Sequence, residues 1–116
     1  MFYIYIIECE DNSLYTGIAK DIIKRLKEHY FKLKNCAKYT KTHQMKNLKA
    51  LWSANTKSDA SKLEYHIKNL TKENKLKLIN NPLYFNKLFD NKIDIKNYKN
   101  YQNEFISNII DNVKKQ

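Results

Sequence analysis

Gly17 and Arg25 are the only glycine and the only arginine in the chain. Every other permanent cationic side chain is lysine, so Arg25 is not there for bulk charge. A guanidinium is a planar, always-charged fork that grips phosphate in two directions, which an ammonium cannot imitate. A lone glycine marks a place where a side chain would obstruct the backbone or whatever approaches it. His29 follows Arg25 by one helical turn, and Tyr5 and Tyr15 precede Gly17. An arginine and a histidine near two phenols suit a phosphodiester whose negative charge grows as water attacks it. A single carboxylate, Glu64, suits a divalent ion that keeps most of its own waters, the usual habit of Mg²⁺. Each of these residues also has a plainer use. The tyrosines serve as strand aromatics, Gly17 as a strand-end bulge, His29 as a helix-edge histidine and Glu64 as the ion-pair partner of Lys68 at i+4.

The elements that must position these side chains can be read along the chain. Residues 2–9 are β-branched and aromatic and predict a strand buried on both faces; residues 14–18 predict a second strand. A three-residue loop, 10–12, would pair Cys9 with Ser13, Ile7 with Tyr15 and Tyr5 with Gly17. That register puts both tyrosines on one face, with Gly17 leaving open space beside Tyr5. Asp21 can cap a helix running to about Leu33 with Ile22, Leu26, Tyr30 and Leu33 buried; Arg25 and His29 border that stripe. Residues 34–46 read as a basic loop and 48–54 as a third strand. Ser58 and Asp59 open a second helix with Leu63, Ile67 and Leu70 inward and Glu64 at the stripe's edge. Thr71 caps a third helix through Ile79, which Asn80-Asn81-Pro82 ends. Beyond Pro82 the text changes: a short helix over 83–89, a polar linker over 90–100 and an amphipathic helix carrying Tyr101, Phe105, Ile106, Ile109, Ile110 and Val113. That last helix either covers the domain or meets a partner, a second copy or another protein.

With 116 residues and 42% hydrophobic content, the chain suits a compact fold with a modest core. Its net charge of +10 points to a polyanionic partner, nucleic acid first and an anionic membrane surface second. Ten of its basic residues against two acids fall between Ile18 and Lys49. Lys20, Lys38 and Lys41 in that stretch are expected to meet backbone phosphates, and Tyr39 either stacks on an unpaired base or belongs to the core. Cys9 and Cys36 are too few for a disulfide scaffold and form no zinc pattern with the three histidines. The longest apolar run is too short to span a bilayer, and no basic-then-apolar leader precedes it, so a cytoplasmic protein is expected.

Tyr3-Ile4-Tyr5, then Tyr15-Thr16-Gly17, Arg25 and His29, resembles the GIY-YIG nuclease family. Tyr3 stands where that family usually has Gly, and Thr16 where it has Ile or Val. Cys36-Ala37-Lys38-Tyr39-Thr40 and the Glu64–Thr71 segment resemble its small, single-domain bacterial branch, similar to the N-terminal nuclease domain of the excision-repair excinuclease. The resemblance covers residues 2–79. It implies an α/β (α+β) fold with a three-stranded antiparallel sheet flanked by helices, placing the nuclease domain at 1–82 and a helical extension at 83–116. It also implies DNA cleavage with Mg²⁺ or Mn²⁺, with RNA as a second substrate class. Carried over, Tyr5 and Tyr15 orient or deprotonate the attacking water, Arg25 steadies the phosphate, His29 assists proton movement and Glu64 binds the metal. Gly17 is the motif glycine. A further polar residue after the glutamate, present in some members, has only Asn80 and Asn81 as nearby counterparts. Repair or recombination on single-stranded or branched DNA is the expected setting; the rival is a non-catalytic nucleic-acid-binding module on the same scaffold.

Overall fold

Phe2–Cys9 forms strand β1 and Leu14–Ala19 forms strand β2 in a computed structural model that describes residues 1–90 and 92–115. The hairpin has the expected register: Ile7 faces Tyr15, Tyr5 faces Gly17, and the Cys9 amide donates to the Ser13 carbonyl at 2.9 Å. Asn12 takes the left-handed conformation (φ 66°) that closes a three-residue loop, a place where Asn substitutes for Gly. Asp21 caps helix α1, Ile22–Tyr30, its carboxylate accepting from the Lys24 amide at 3.1 Å.

Helix α1 ends three residues before the expected Leu33. Lys32 turns left-handed (φ 54°) and the Leu33 amide donates back to the Glu28 carbonyl at 2.9 Å, a Schellman-like stop made without glycine. Leu33 is consequently exposed, and His29, not Leu33, is the third fully buried residue of the helix. The stretch expected to be a basic loop holds a short helix, α2, Lys38–Thr42. Strand β3 is Met45–Ala54, followed by α3, Lys57–Lys68, α4, Lys72–Asn80, and α5, Tyr84–Phe89. Thr56 and Thr71 cap α3 and α4 through their hydroxyls.

The segment expected to be a polar linker instead contains a 3₁₀ turn, Ile95–Asn97, and a fourth strand, β4, Tyr98–Tyr101. The sheet is therefore four-stranded, in the order β2-β1-β3-β4 and antiparallel at every pairing, where three strands were expected. Tyr98 anchors β4: its hydroxyl donates to the Asp59 carbonyl at 2.6 Å and its ring lies against Phe85. The final helix, α6, Asn103–Lys114, lays Ile109 and Val113 into the core beside α1. Its apolar stripe covers the domain, leaving Phe105 as its exposed aromatic. Asn91 and Gln116 lie outside the described residues. Among those residues no helix is long and apolar enough to cross a membrane.

Two cores follow from the alternation of β1. Ile4 and Ile6 pack with Leu63 and Ile67 of α3 and with Phe85 and Phe89 of α5; Tyr5 and Ile7 pack with Leu26 of α1 and Val113 of α6. Thr16 faces the first core, and its Oγ1 is buried without a hydrogen-bond partner. Thr16→Val keeps the shape and removes the orphaned hydroxyl, so it should stabilise the fold by about 1 kcal/mol, raising the melting temperature by roughly 4 °C in a calorimetric scan.

Candidate active site

One face of the hairpin presents Tyr5 and Tyr15 to α1, because residues of opposite strands that share a register share a face. Gly17 does not leave open space beside Tyr5. The Tyr5 ring fills it: a Cβ built on Gly17 would stand 2.6 Å from Tyr5 Cζ. Gly17 has no positive φ, so this close approach alone requires glycine there. The phenol thus lies flat across the edge strand and points its hydroxyl at α1.

That hydroxyl is 2.7 Å from His29 Nε2, and His29 Nδ1 is 2.9 Å from Thr40 Oγ1. All three side chains are enclosed: Tyr5 is 1% exposed, and His29 and Thr40 are 0%. Burial raises the Tyr5 pKa well above that of a free phenol; Tyr15 adds to the rise and the positive charge of Arg25 opposes it. Burial, with the Arg25 charge beside it, lowers the His29 pKa to about 4.

The His29 shift links to stability with a definite sign. The unfolded chain takes up this proton near pH 6.5 and the folded chain only near 4, so the unfolded state binds more protons between those values. Stability falls as pH drops through this window. From His29 alone, denaturant titrations at pH 7 and pH 5 should differ by about 2 kcal/mol, and His29→Gln should remove most of that difference.

Arg25 is pinned by one nitrogen. Nη1 donates to Glu28 Oε1 at 2.8 Å and to the Asn35 carbonyl at 2.6 Å. With 27% of the Arg25 side chain and 13% of Glu28 exposed, the pair sits at the edge of a cleft and not inside the core. Both contacts engage Nη1, so they fix the plane of the guanidinium without using up its five donors. The groove beside it, about 270 Å³, is lined by Ile18, Ala19, Lys20, Asp21, Lys24, Arg25 and Glu28.

Glu64 approaches from α3, which packs against β1 and β2 from the opposite face of the sheet. The carboxylate is partly buried and its Oε2 lies 3.3 Å from Lys68 Nζ. Lys68 Nζ in turn lies 5.9 Å from the centroid of the Tyr15 ring. Glu64 is thus an ion-pair partner of Lys68, and Lys68 links it to the Tyr15 ring. Tyr15 is half-buried, stands edge-on to His29 with ring centroids 5.6 Å apart, and stacks on Tyr39 at 5.4 Å. Tyr39 stacks on His43 at 4.0 Å as well, so its ring contacts belong to the protein. Lys20, Lys38 and Lys41 are all exposed to solvent.

The structure brings Tyr5, Tyr15 and His29 together between the hairpin and α1, with Arg25 on the same helix; Glu64, on α3, is linked to Tyr15 only through Lys68. Asn80 closes α4 and lines a separate groove between β3 and α6. Sequence reasoning missed Glu28, Thr40 and Lys68 as parts of the site. Lys68 was visible as the i+4 neighbour of Glu64, but nothing local signals the contacts of Thr40 with His29 or of Asn35 with Arg25.

Among the described residues no cluster of three or more His, Cys, Asp or Glu side chains could hold a metal. The donor set is one carboxylate. It fits a hard divalent ion that retains its waters and does not fit zinc, which needs several nitrogen or sulfur ligands.

The α+β fold, the two tyrosines on one hairpin face and the pinned arginine define a GIY-YIG-type domain. The chain belongs to this family: the model of the GIY-YIG catalytic domain matches residues 1–77. Within it, the chain is 41% identical over 97 residues to UPF0213 protein FN1575 of Fusobacterium nucleatum, covering 82% of this chain and 95% of that one. It is 49% identical over 77 residues to UPF0213 protein SSP2268 of Staphylococcus saprophyticus, covering 66% and 92%. A solution NMR structure of UPF0213 protein BH0048 from Bacillus halodurans is 36% identical and covers 69% of this chain and 84% of that chain, with a TM-score of 0.44.

Proposed function

We propose that the protein is a metal-dependent endonuclease that hydrolyses DNA phosphodiester bonds at the cleft beside Arg25, in the cytoplasm and in the service of DNA repair or recombination. The observation that carries this reading is the enclosed Tyr5–His29 hydrogen bond, with the half-buried Tyr15 ring edge-on to the same histidine and Arg25 one turn before it on α1. A fold that needed only structural aromatics would not set two phenols around one enclosed imidazole on the helix that carries the sole arginine.

Roles follow from exposure. Tyr15 is the accessible phenol and holds the attacking water, while the buried Tyr5 and His29 fix the network behind it. Arg25 grips the scissile phosphate with a guanidinium whose plane Glu28 and Asn35 set in advance, so little reorganisation is needed as charge grows. Glu64 holds the Mg²⁺ or Mn²⁺ ion, which when bound stabilises the charge on the phosphate oxygens. Gly17 lets Tyr5 reach its place. Lys20, Lys38 and Lys41 attract the backbone, so binding is strongly salt-dependent and largely blind to sequence. Tyr39 braces Tyr15 and is not assigned to a base. Residues 1–82 form the catalytic unit in this reading, and 83–116 the extension that covers it. Cys9 and Cys36, both buried free thiols, accord with a reducing compartment.

The test is cleavage of supercoiled plasmid and of flapped or branched oligonucleotides at low salt, with Mg²⁺, with Mn²⁺ and with chelator. Nicking that requires metal supports the enzyme. Retention of DNA on a gel with no cutting under any of these conditions supports a binding module instead.

A further inference from the structure

Thr40 belongs to the Cys36–Thr40 motif, and the roles assigned above leave it without one. Among the described residues the enclosed polar side chains are Thr16, His29, Thr40 and Ser53, and two of these are bonded to each other. A neutral imidazole has one N–H and one bare nitrogen, and which is which depends on the partners of the two nitrogens. Thr40 Oγ1 donates its single proton to the Ala37 carbonyl at 3.1 Å. Towards His29, 2.9 Å away, that oxygen can therefore only accept. The proton of His29 must then sit on Nδ1, leaving Nε2 bare and facing the Tyr5 hydroxyl at 2.7 Å. The chain of donors runs one way: Tyr5 to His29, His29 to Thr40, Thr40 to the backbone of Ala37.

We infer that Thr40 is a positioning residue that, with its hydroxyl anchored on Ala37, locks His29 in the Nδ1–H tautomer so that Nε2 receives the Tyr5 hydroxyl. In the other tautomer the Thr40 proton would turn to bare Nδ1, and the Ala37 carbonyl would keep its bonds from the Thr40 and Lys41 amides. Nε2–H would then meet the Tyr5 oxygen and force the Tyr5 proton away from its partner, so the enclosed phenol decides between the two. The catalytic consequence rests on the nuclease reading; the tautomer does not. Helix α2 then has two jobs on two faces. Lys38 and Lys41 lie towards solvent, where a polyanion would meet them, and Thr40 points inward to the histidine. The one short element that follows the turn at 31–37 ties the charged rim to the buried network.

The full chain, labelled with ¹⁵N at histidine, decides this by NMR at pH 7. Wild type is expected to show His29 protonated at Nδ1 and bare at Nε2. A wild-type spectrum with the proton on Nε2 overturns the inference outright, without any variant. Thr40→Val, which keeps the side chain's shape, should move the proton to Nε2 or mix the two forms, and Thr40→Ser should restore the wild-type pattern. A Val variant that keeps Nδ1–H as wild type does also overturns it. In cleavage assays Thr40→Val should lower kcat by at least about tenfold with KM within about threefold, and Thr40→Ser should recover most of the loss. If the spectra behave as expected but wild type cuts no DNA, the nuclease reading fails and the assignment of Thr40 stands. If wild type cuts and Thr40→Val loses the tautomer without losing kcat, the positioning role in catalysis is wrong.

Discussion

Arg25→Lys should cleave DNA about 100- to 1,000-fold more slowly than the wild-type chain, the loss typical of removing a preorganised donor from a developing charge. The substitution keeps the charge, so the loss would come from geometry. A lysine ammonium that bonds Glu28 and Asn35 as Nη1 does has no second and third nitrogen left to present a flat fork to the phosphate. Stability should change little, by less than about 1 kcal/mol, because lysine keeps the positive charge that pairs with Glu28. Single-turnover cleavage and a urea titration on the same preparation separate the two effects. A lysine variant that cuts within a few-fold of wild type would show that Arg25 is a structural residue and that the phosphate lies elsewhere. Loss of folding with loss of activity would show the same by another route.

Gly17→Ala should destabilise the fold by about 2–3 kcal/mol, as overpacking of a well-filled site does. The sign is what discriminates. A glycine in a strand at ordinary negative φ normally gains about 0.4–1 kcal/mol when replaced by alanine, because the unfolded chain loses freedom. Here the new methyl would meet Tyr5 Cζ at 2.6 Å, and the ring cannot swing aside cheaply, since its hydroxyl is held by His29 and it is 1% exposed. The strain should fall on Tyr5, so activity should drop with stability. Tyr5→Leu, which removes the ring, should make the alanine far less costly on its own background. Urea midpoints for the four members of this cycle measure the coupling directly. Additivity across the cycle, or a stabilised alanine variant, would mean that Tyr5 does not cross Gly17.

The hairpin was legible because its loop has one economical length, and the period of two then dictates which tyrosine meets which partner. The Asp21 and Thr71 caps were legible for the same local reason: a side chain that reaches an amide three residues on leaves its mark in the text. What was not legible depends on contacts that leave no such mark. Helix α1 stops at Tyr30 by turning Lys32 left-handed, and with no glycine there the periodicity runs on to Leu33. Strand β4 reads as Tyr-Lys-Asn-Tyr, which has no apolar alternation, and it exists because the open edge of β3 and the Tyr98 bond to Asp59 hold it. The site divides along the same line. Residue types named Tyr5, Tyr15, Arg25, His29 and Glu64, while the groups that orient them came only with tertiary structure. Thr40 meets His29 across eleven residues, and Asn35 meets Arg25 through its backbone, where identity carries no signal.

Mn²⁺-dependent nicking of supercoiled DNA by wild type and Glu64→Gln, assayed side by side at equal DNA occupancy, tests the nuclease assignment most directly. The amide keeps the shape of the side chain and removes the carboxylate proposed to hold the metal. Wild type should nick and Glu64→Gln should not, with the variant still binding DNA and still folded. Equal nicking by both proteins would contradict the assignment.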